Sequence, residues 1–324
     1  MKLLIAGAGT PVAKELVSLL KRAGIDHQII PDRFFSGDDL RAMGQLLDKY
    51  CPDQLINLYS FKSGSQTAVY KAEAAAEKCR NIHQKYAEVL AGFCAARDIP
   101  LIHLSTCYVF DGEKKLGYNE QDDADPVGVY GKTALQGEQA VASLSKYIIL
   151  RTGWMFGPNQ CDVIKSWIKT CKKNTGKLQV TRRRFSPTPG EDLARVLLGV
   201  CHQVDCDANA WGTYHYCGLE TKKESEFVQQ VLKYASQHDE EIYQLLDSFE
   251  MSEAHTNRPE VPNTTLSSKK IFDTFGIKQR SWHESLKNTI KSLYQGAAKS
   301  DTDEATSDGP RIQLPDSLSS KSLH

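Results

Sequence analysis

The chain has no net charge: 40 Lys and Arg balance 40 Asp and Glu over 324 residues. Recognition of nucleic acid or of an anionic membrane by global attraction is thereby excluded, and only a local patch could serve either role. There is also no C-x-x-C pair among the nine cysteines. The closest two are Cys201 and Cys206, so neither a zinc ribbon nor a redox dithiol is written here, no metal site is expected, and the thiols read as reduced and mostly buried. Long apolar runs are missing too. The N-terminus, Met-Lys-Leu-Leu-Ile-Ala-Gly-Ala-Gly, reaches glycine too soon for a secretory core or a membrane span, so a cytoplasmic protein is expected, with neither membrane nor nucleic acid as partner. What is present, 40% hydrophobic and 25% charged residues, is a globular composition, and a chain of this length buries enough surface to fold without metals or disulfides. No internal repeat is visible.

Lys2 to Ala6 is a continuous apolar run closed by Gly7-Ala8-Gly9 and followed by Val12, Leu16, Val17, Leu19 and Leu20 at helical spacing, which reads as strand, tight turn, helix. Further apolar runs at His27 to Ile30, Gln54 to Tyr59 and Pro100 to Ser105 alternate with helical patterns around Leu40 to Tyr50 and Thr67 to Arg97. Such alternation predicts an α/β fold, a Rossmann-type doubly wound parallel sheet with ligand sites at the C-terminal strand ends. After a strand at Tyr147 to Arg151 the alternation becomes irregular, which predicts a small C-terminal α/β substrate lobe. We therefore expect a nucleotide-binding domain over 1–152 with part of 185–217, an interleaved second lobe over 153–295, and a disordered tail over 296–324.

Gly7 and Gly9, with a helix starting near Pro11 and Val12, are what a pyrophosphate needs: a turn with positive φ, close backbone approach, and a helix N-terminus. Pro11 suits the first helical position. Read as G-x-x-G-x-x-G, the pattern places Thr10 and Ala13 at the second and third glycines, and the Thr10 side chain threatens to crowd the phosphate. Asp32 and Arg33 end the second strand. A carboxylate suits a ribose 2′-hydroxyl and a guanidinium a 2′-phosphate, so NAD and NADP both stay open. Tyr59, at the end of the third strand, joins the cofactor set.

Two strings carry the chemistry: Ser105-Thr106-Cys107-Tyr108-Val109-Phe110-Asp111-Gly112, and Val129-Tyr130-Gly131-Lys132-Thr133-Ala134-Leu135-Gln136-Gly137-Glu138. Here the sequence resembles the extended short-chain dehydrogenase/reductases, specifically the dTDP-4-dehydrorhamnose reductase family. The likeness continues through Arg151 to Gly157, Ser186-Pro-Thr188, Glu191 to Ala194, Tyr214 to Gly218 and Arg258-Pro259, covering about 1–295. It implies that Tyr130 is the acid and also contacts the cofactor, and that Thr106 polarises the carbonyl. It also implies that Ser105, Trp154 and Arg258 contact a nucleotide-linked sugar, with Arg258 at its diphosphate. A free tyrosine has a pKa of about 10, and the family lowers it with a lysine four residues on. That position is Ala134. Lys132, two residues along a helix, points away. Cys107 stands where the family has aspartate.

The sequence also resembles the regulatory beta subunits of methionine adenosyltransferase, which implies that the scaffold can bind a dinucleotide or a protein partner without turnover. Two functions of different class follow: an active NAD(P)H-dependent reductase of a nucleotide-linked 4-keto sugar using Tyr130 and Thr106, or a dinucleotide- and sugar-binding relative with weakened or absent chemistry that takes a protein partner or a second copy. Residues 163–190 hold Lys165, Lys169, Lys172, Lys173, Lys177, Arg182, Arg183 and Arg184 and no acidic residue, a stretch that reads as a solvated face or an anion- or partner-binding surface.

Overall fold

The apolar runs pair edge to edge as parallel strands. In a computed structural model that describes residues 1–35, 40–61, 66–254 and 261–305, β1 (Lys2–Ala6), β2 (Asp26–Ile29), β3 (Gln54–Asn57), β4 (Leu101–Thr106), β5 (Tyr147–Thr152) and β6 (Gly212–Tyr216) form one sheet in the order β6-β5-β4-β3-β1-β2. All of its ladders are parallel. The order reverses between β1 and β3, the topological switch point at which ligand crevices form.

Alternation along the strands builds two cores. Leu3, Ile5, Ile56, Ile102, Leu104, Ile148 and Leu150 face α1 (Pro11–Ala23) and the helix Gly190–Asp205. Leu4, Ala6, Leu55, Leu101 and Ile149 face the other way, toward Leu40–Tyr50 and Tyr86–Arg97. A third cluster, with Trp154, Phe156, Trp167, Phe185, Phe227 and Trp282 at its centre, makes the core of the smaller lobe. There two short ladders, Lys177–Val180 with Glu250–Glu253 and Arg184–Phe185 with Lys222–Lys223, flank the helices Asp162–Lys173 and Glu224–Ala235.

The helix expected over Thr67 to Arg97 is interrupted. It runs as Gln66–Ala74, breaks at Ala75 (φ −136°, ψ 43°), resumes at Ala76–Arg80, widens into a π turn at Asn81–Lys85, and continues as Tyr86–Arg97. The wide turn sits where the helix over Val129–Ala142, designated α2, lies across it. A Cβ at Gly137 would fall 2.2 Å from the His83 carbonyl oxygen, and one at Gly131 would fall 2.0 Å from that of Tyr108. These two glycines let α2 approach closely enough to seat Tyr130 against β4. At the C-terminus the last helix spans His283–Ala305, so residues 296–305, expected to lack regular structure, continue it. Propagation adds one hydrogen bond per residue to an existing helix, and no apolar face is required for it. The rest of that segment, 306–324, lies outside the described residues.

Gly131→Ala is expected to destabilise the fold by about 2 kcal/mol or more through overpacking. Gly92→Ala, in a helix where nothing lies within 4 Å of the new carbon, is expected to be neutral or to stabilise by up to about 1 kcal/mol. Urea titration of the two variants measures both, and equal midpoints would contradict the close-approach account.

Candidate active site

The turn after β1 is built as its glycines require. Gly7 has φ +80°, and a Cβ there would fall 2.6 Å from the Tyr59 backbone nitrogen, whereas Gly9 has nothing within 4 Å. The Thr10 hydroxyl does not crowd the outer side of this turn. It donates to the Gly7 carbonyl at 2.9 Å, beside the Thr10 N–H donating to the same oxygen at 3.1 Å. Thr10 is the N-cap of α1 and Pro11 its first residue, so the Val12 and Ala13 N–H groups lie in the first turn, where a helix has no partner of its own for them. An open backbone cradle at a helix N-terminus fits a diphosphate.

Asp32 begins a short 3-10 turn after β2 and accepts a hydrogen bond from the Tyr59 hydroxyl. Tyr59 joins Phe35 and Tyr86 in a trio of rings with centroids 4.4 to 5.0 Å apart. Burial, then the Asp32 carboxylate, pushes the Tyr59 phenol up. Arg33 lies over the Phe34 ring at 5.3 Å.

At the C-terminal ends of β3 and β4, Tyr130, Thr106, Ser60, His83, His103 and Ala134 line a common cavity of about 30 Å³, room for one or two waters. The Tyr130 phenol is 1% exposed and hydrogen-bonds the Ser60 hydroxyl at 3.0 Å. Burial pushes its pKa up from 10.0, the Ser60 hydrogen bond opposes this, and the neighbouring Cys79, Tyr108 and Cys107 push it further up. Among the described residues no ammonium or guanidinium lies against this oxygen. Lys132 is exposed on the far side of α2. Thr106, the last residue of β4, accepts a hydrogen bond from the Tyr108 N–H at 3.3 Å.

Two neutral histidines complete the cavity. His83 Nε2 accepts from the Phe61 N–H at 2.9 Å, and burial pushes the ring down to about 3. Asn57 fixes the other ring. Its carbonyl oxygen accepts from the Tyr59 N–H, so its amide nitrogen donates to His103 Nδ1 at 2.9 Å, leaving the proton on Nε2. Burial pushes His103 down to about 4.

Of the remaining expected residues, Ser105 lines the same cavity, while its hydroxyl donates to Glu138, which also binds Arg151. Trp154 is 2% exposed and packs on Phe185 and Phe227 in the smaller core. Arg258 is outside the described residues. Three cations of the basic stretch are paired with carboxylates: Lys172 with Asp239 and Glu241, Arg182 with Glu253, and Arg183 with Glu224. Ser60, His83, His103, Phe35 and Tyr86 were not anticipated. Only Ser60, adjacent to Tyr59, carried a sequence signal.

A doubly wound parallel sheet, a glycine turn at its switch point and a Thr–Tyr pair beyond β4 together define an extended short-chain dehydrogenase/reductase. More narrowly, the chain belongs to the RmlD substrate binding domain family, whose model matches residues 1–295. It is 29% identical over 293 residues to the dTDP-4-dehydrorhamnose reductase of Aggregatibacter actinomycetemcomitans, spanning 89% of this chain and 97% of that one. It is 25% identical over 291 residues to the spore coat polysaccharide biosynthesis protein SpsK of Bacillus subtilis, spanning 90% and 97%. The crystal structure of a dTDP-4-dehydrorhamnose reductase from Clostridium acetobutylicum superposes with a TM-score of 0.75 at 27% identity, covering 90% of this chain and 99% of that one. The Bacillus anthracis reductase, solved in complex with NADP, does so with a TM-score of 0.74 at 23% identity, covering 90% and 99%, a likeness of fold. Among the described residues no helix is long and apolar enough to cross a membrane.

His83 and His103 titrate below the ordinary 6.5 in the folded state. The unfolded chain therefore binds more protons between about pH 6.5 and 4, and their stabilising effect, complete above 6.5, is lost as pH falls. Unfolding free energy is expected to drop by up to about 1.4 kcal/mol per pH unit for each ring in that window. His103→Asn is expected to flatten the slope in urea titrations at pH 7, 6 and 5; an unchanged slope would contradict burial of a neutral ring.

Proposed function

We propose that this protein binds a nicotinamide dinucleotide and a nucleotide-linked sugar in the manner of the dTDP-4-dehydrorhamnose reductases, with strongly weakened reductase chemistry. The proposal keeps the division expected from the sequence, a dinucleotide domain and an interleaved sugar lobe. Gly7, Gly9 and the start of α1 would hold the diphosphate, the Phe35–Tyr59–Tyr86 rings and Asp32 the adenosine side, and Thr106 and Tyr130 the carbonyl of the sugar. The cofactor, when bound, supplies a hydride.

The observation that carries the reading is the buried Tyr130 phenol with Ala134 four residues on and, among the described residues, no cation beside it. A proton donor must have a pKa matched to its task, and general acid catalysis is worth roughly 10²–10⁴-fold. The Ser60 hydroxyl orients the phenol and can return a proton to it, but supplies no charge. Thr106 places a carbonyl without activating an acid.

Calorimetry is expected to show NADH and NADPH binding, and single-turnover mixing with dTDP-4-dehydrorhamnose to show hydride transfer slower by that factor than in a relative with the lysine. Ala134→Lys is expected to fall well short of recovery, since Tyr130 and Ala134 are both buried and the new ammonium would have to leave water to reach the phenol. Fast native turnover abolished by Tyr130→Phe would establish the active-reductase reading instead.

Cofactor choice follows from Asp32. Its carboxylate repels a 2′-phosphate and accepts from a 2′-hydroxyl, while Arg33 leans on Phe34. NADH is expected to bind more tightly than NADPH, and Asp32→Asn to narrow the difference at least fivefold; a tighter NADPH in the native protein would contradict this assignment.

A further inference from the structure

The chain leaves β3 at Asn57 and, three residues on, puts the Ser60 hydroxyl 3.0 Å from the Tyr130 phenol, both groups lining the same cavity. A serine has one carbon between backbone and oxygen, so its hydroxyl goes where the backbone beside it is held. Two contacts hold it. Asn57 Oδ1 accepts from the Tyr59 N–H at 3.1 Å within the same turn, and His83 Nε2 accepts from the Phe61 N–H at 2.9 Å, from an element 22 residues further on. The second contact is buried, and it ties the residue after Ser60 to a different part of the molecule.

His83 is placed as a bridge. Its Nε2 accepts, so its Nδ1 carries the hydrogen and donates to the Thr133 hydroxyl at 3.0 Å, which in turn donates to the Val129 carbonyl at 2.9 Å. Thr133 and Val129 belong to α2, the helix that carries Tyr130. One imidazole thus joins the Ser60 loop to the helix of the phenol with both nitrogens engaged, and its ring meets the Tyr130 ring edge-on at 4.7 Å. Accepting at Nε2 requires a free lone pair there, which burial preserves by keeping the ring unprotonated. The ring is carried on the π turn at Asn81–Lys85. Turns of this width are rare inside helices and are frequent at functional sites.

We infer that His83 is the positioning residue of this site, acting through Phe61 to hold the Ser60 hydroxyl on the Tyr130 oxygen, and that Ser60 is the catalytic partner of the phenol. The inference rests on the reading above and names the group that meets Tyr130 where the family has an ammonium. As the phenol O–H breaks and its proton forms an O–H bond on the carbonyl oxygen of the sugar, the Ser60 O–H donates to the phenolate left behind. A hydrogen bond to the charged form of a group favours that form. A donor already aimed at the oxygen also needs no reorganisation as the charge develops.

The test compares Ser60→Ala, His83→Asn, His83→Gln and the double variant Ser60→Ala with His83→Asn, thermal unfolding showing that each is folded. Asparagine keeps a polar group on the Thr133 side but is too short to reach the Phe61 N–H, whereas glutamine carries an acceptor that far. Two quantities are read: the Tyr130 Cζ resonance of the ligand-free protein at pH 7, and the single-turnover rate of hydride transfer from NADH to dTDP-4-dehydrorhamnose, with dinucleotide affinity from calorimetry. Ser60→Ala is expected to move the resonance and to lower the rate at least fivefold while the affinity stays within twofold. His83→Asn is expected to do the same, the double variant to go no further than Ser60→Ala, and His83→Gln to keep most of the native rate and resonance. The inference is overturned if Ser60→Ala or a folded His83→Asn leaves both quantities unchanged, if His83→Gln loses as much as His83→Asn, or if the two losses multiply in the double variant, which would mark an effect of His83 independent of Ser60. Ser60→Ala removes one oxygen from a half-buried side chain, so it decides the role of Ser60 even where a His83 variant does not fold. A native protein that binds neither NADH nor NADPH would instead overturn the reading on which this rests.

Discussion

Taking a phenol out of water favours its protonated form, and a positive charge at close range is the strongest way to offset that cost. Tyr130 is taken out of water by its own helix, by the His83 turn and by Tyr108, and is given a hydroxyl in place of a charge. Much of the local structure serves this arrangement. The missing Cβ atoms of Gly131 and Gly137 bring the helix down onto the Tyr108 and His83 carbonyls. The π turn gives His83 the position from which it receives the Phe61 N–H. The Asn57–His103 pair beneath stays neutral, so the floor of the cavity adds no charge either. The fold of the family is present, and among the described residues no cation meets this phenol.

The parts of this arrangement that were legible in the sequence were those set by local pattern. An apolar run closed by glycine and followed by helical spacing could only be strand, turn and helix, and the structure has them at β1, Gly7 and α1. The orientation of Lys132 was legible too, because helical geometry alone turns it away from Tyr130, and it is exposed. The rest depends on contacts between residues far apart in the chain. His83 is bound by Phe61 and Thr133, and His103 by Asn57; nothing near either histidine announces its partner. Ser105 and Thr106 both line the cavity, but the hydrogen bond that engages the Ser105 hydroxyl runs to Glu138, 33 residues on, which no local pattern announced.

Charge followed the same division. The run of cations over 163–190 looked like an excess because its acidic partners lie some 40 to 70 residues further on, at Glu224, Asp239, Glu241 and Glu253. These contacts are the ordinary pairing of a folded lobe. Arg183 differs from its neighbours because it is enclosed against the Trp154 and Phe185 rings, where pairing with one carboxylate leaves donors over.

The central claim is a statement about one proton. Labelling tyrosine at Cζ and following the Tyr130 resonance by carbon NMR, assigned with Tyr130→Phe, reads that proton directly in the whole protein. The account requires the phenol to stay protonated through pH 10, the ordinary tyrosine value. A midpoint below 10 would mean that a positive charge does reach Tyr130, and would contradict it.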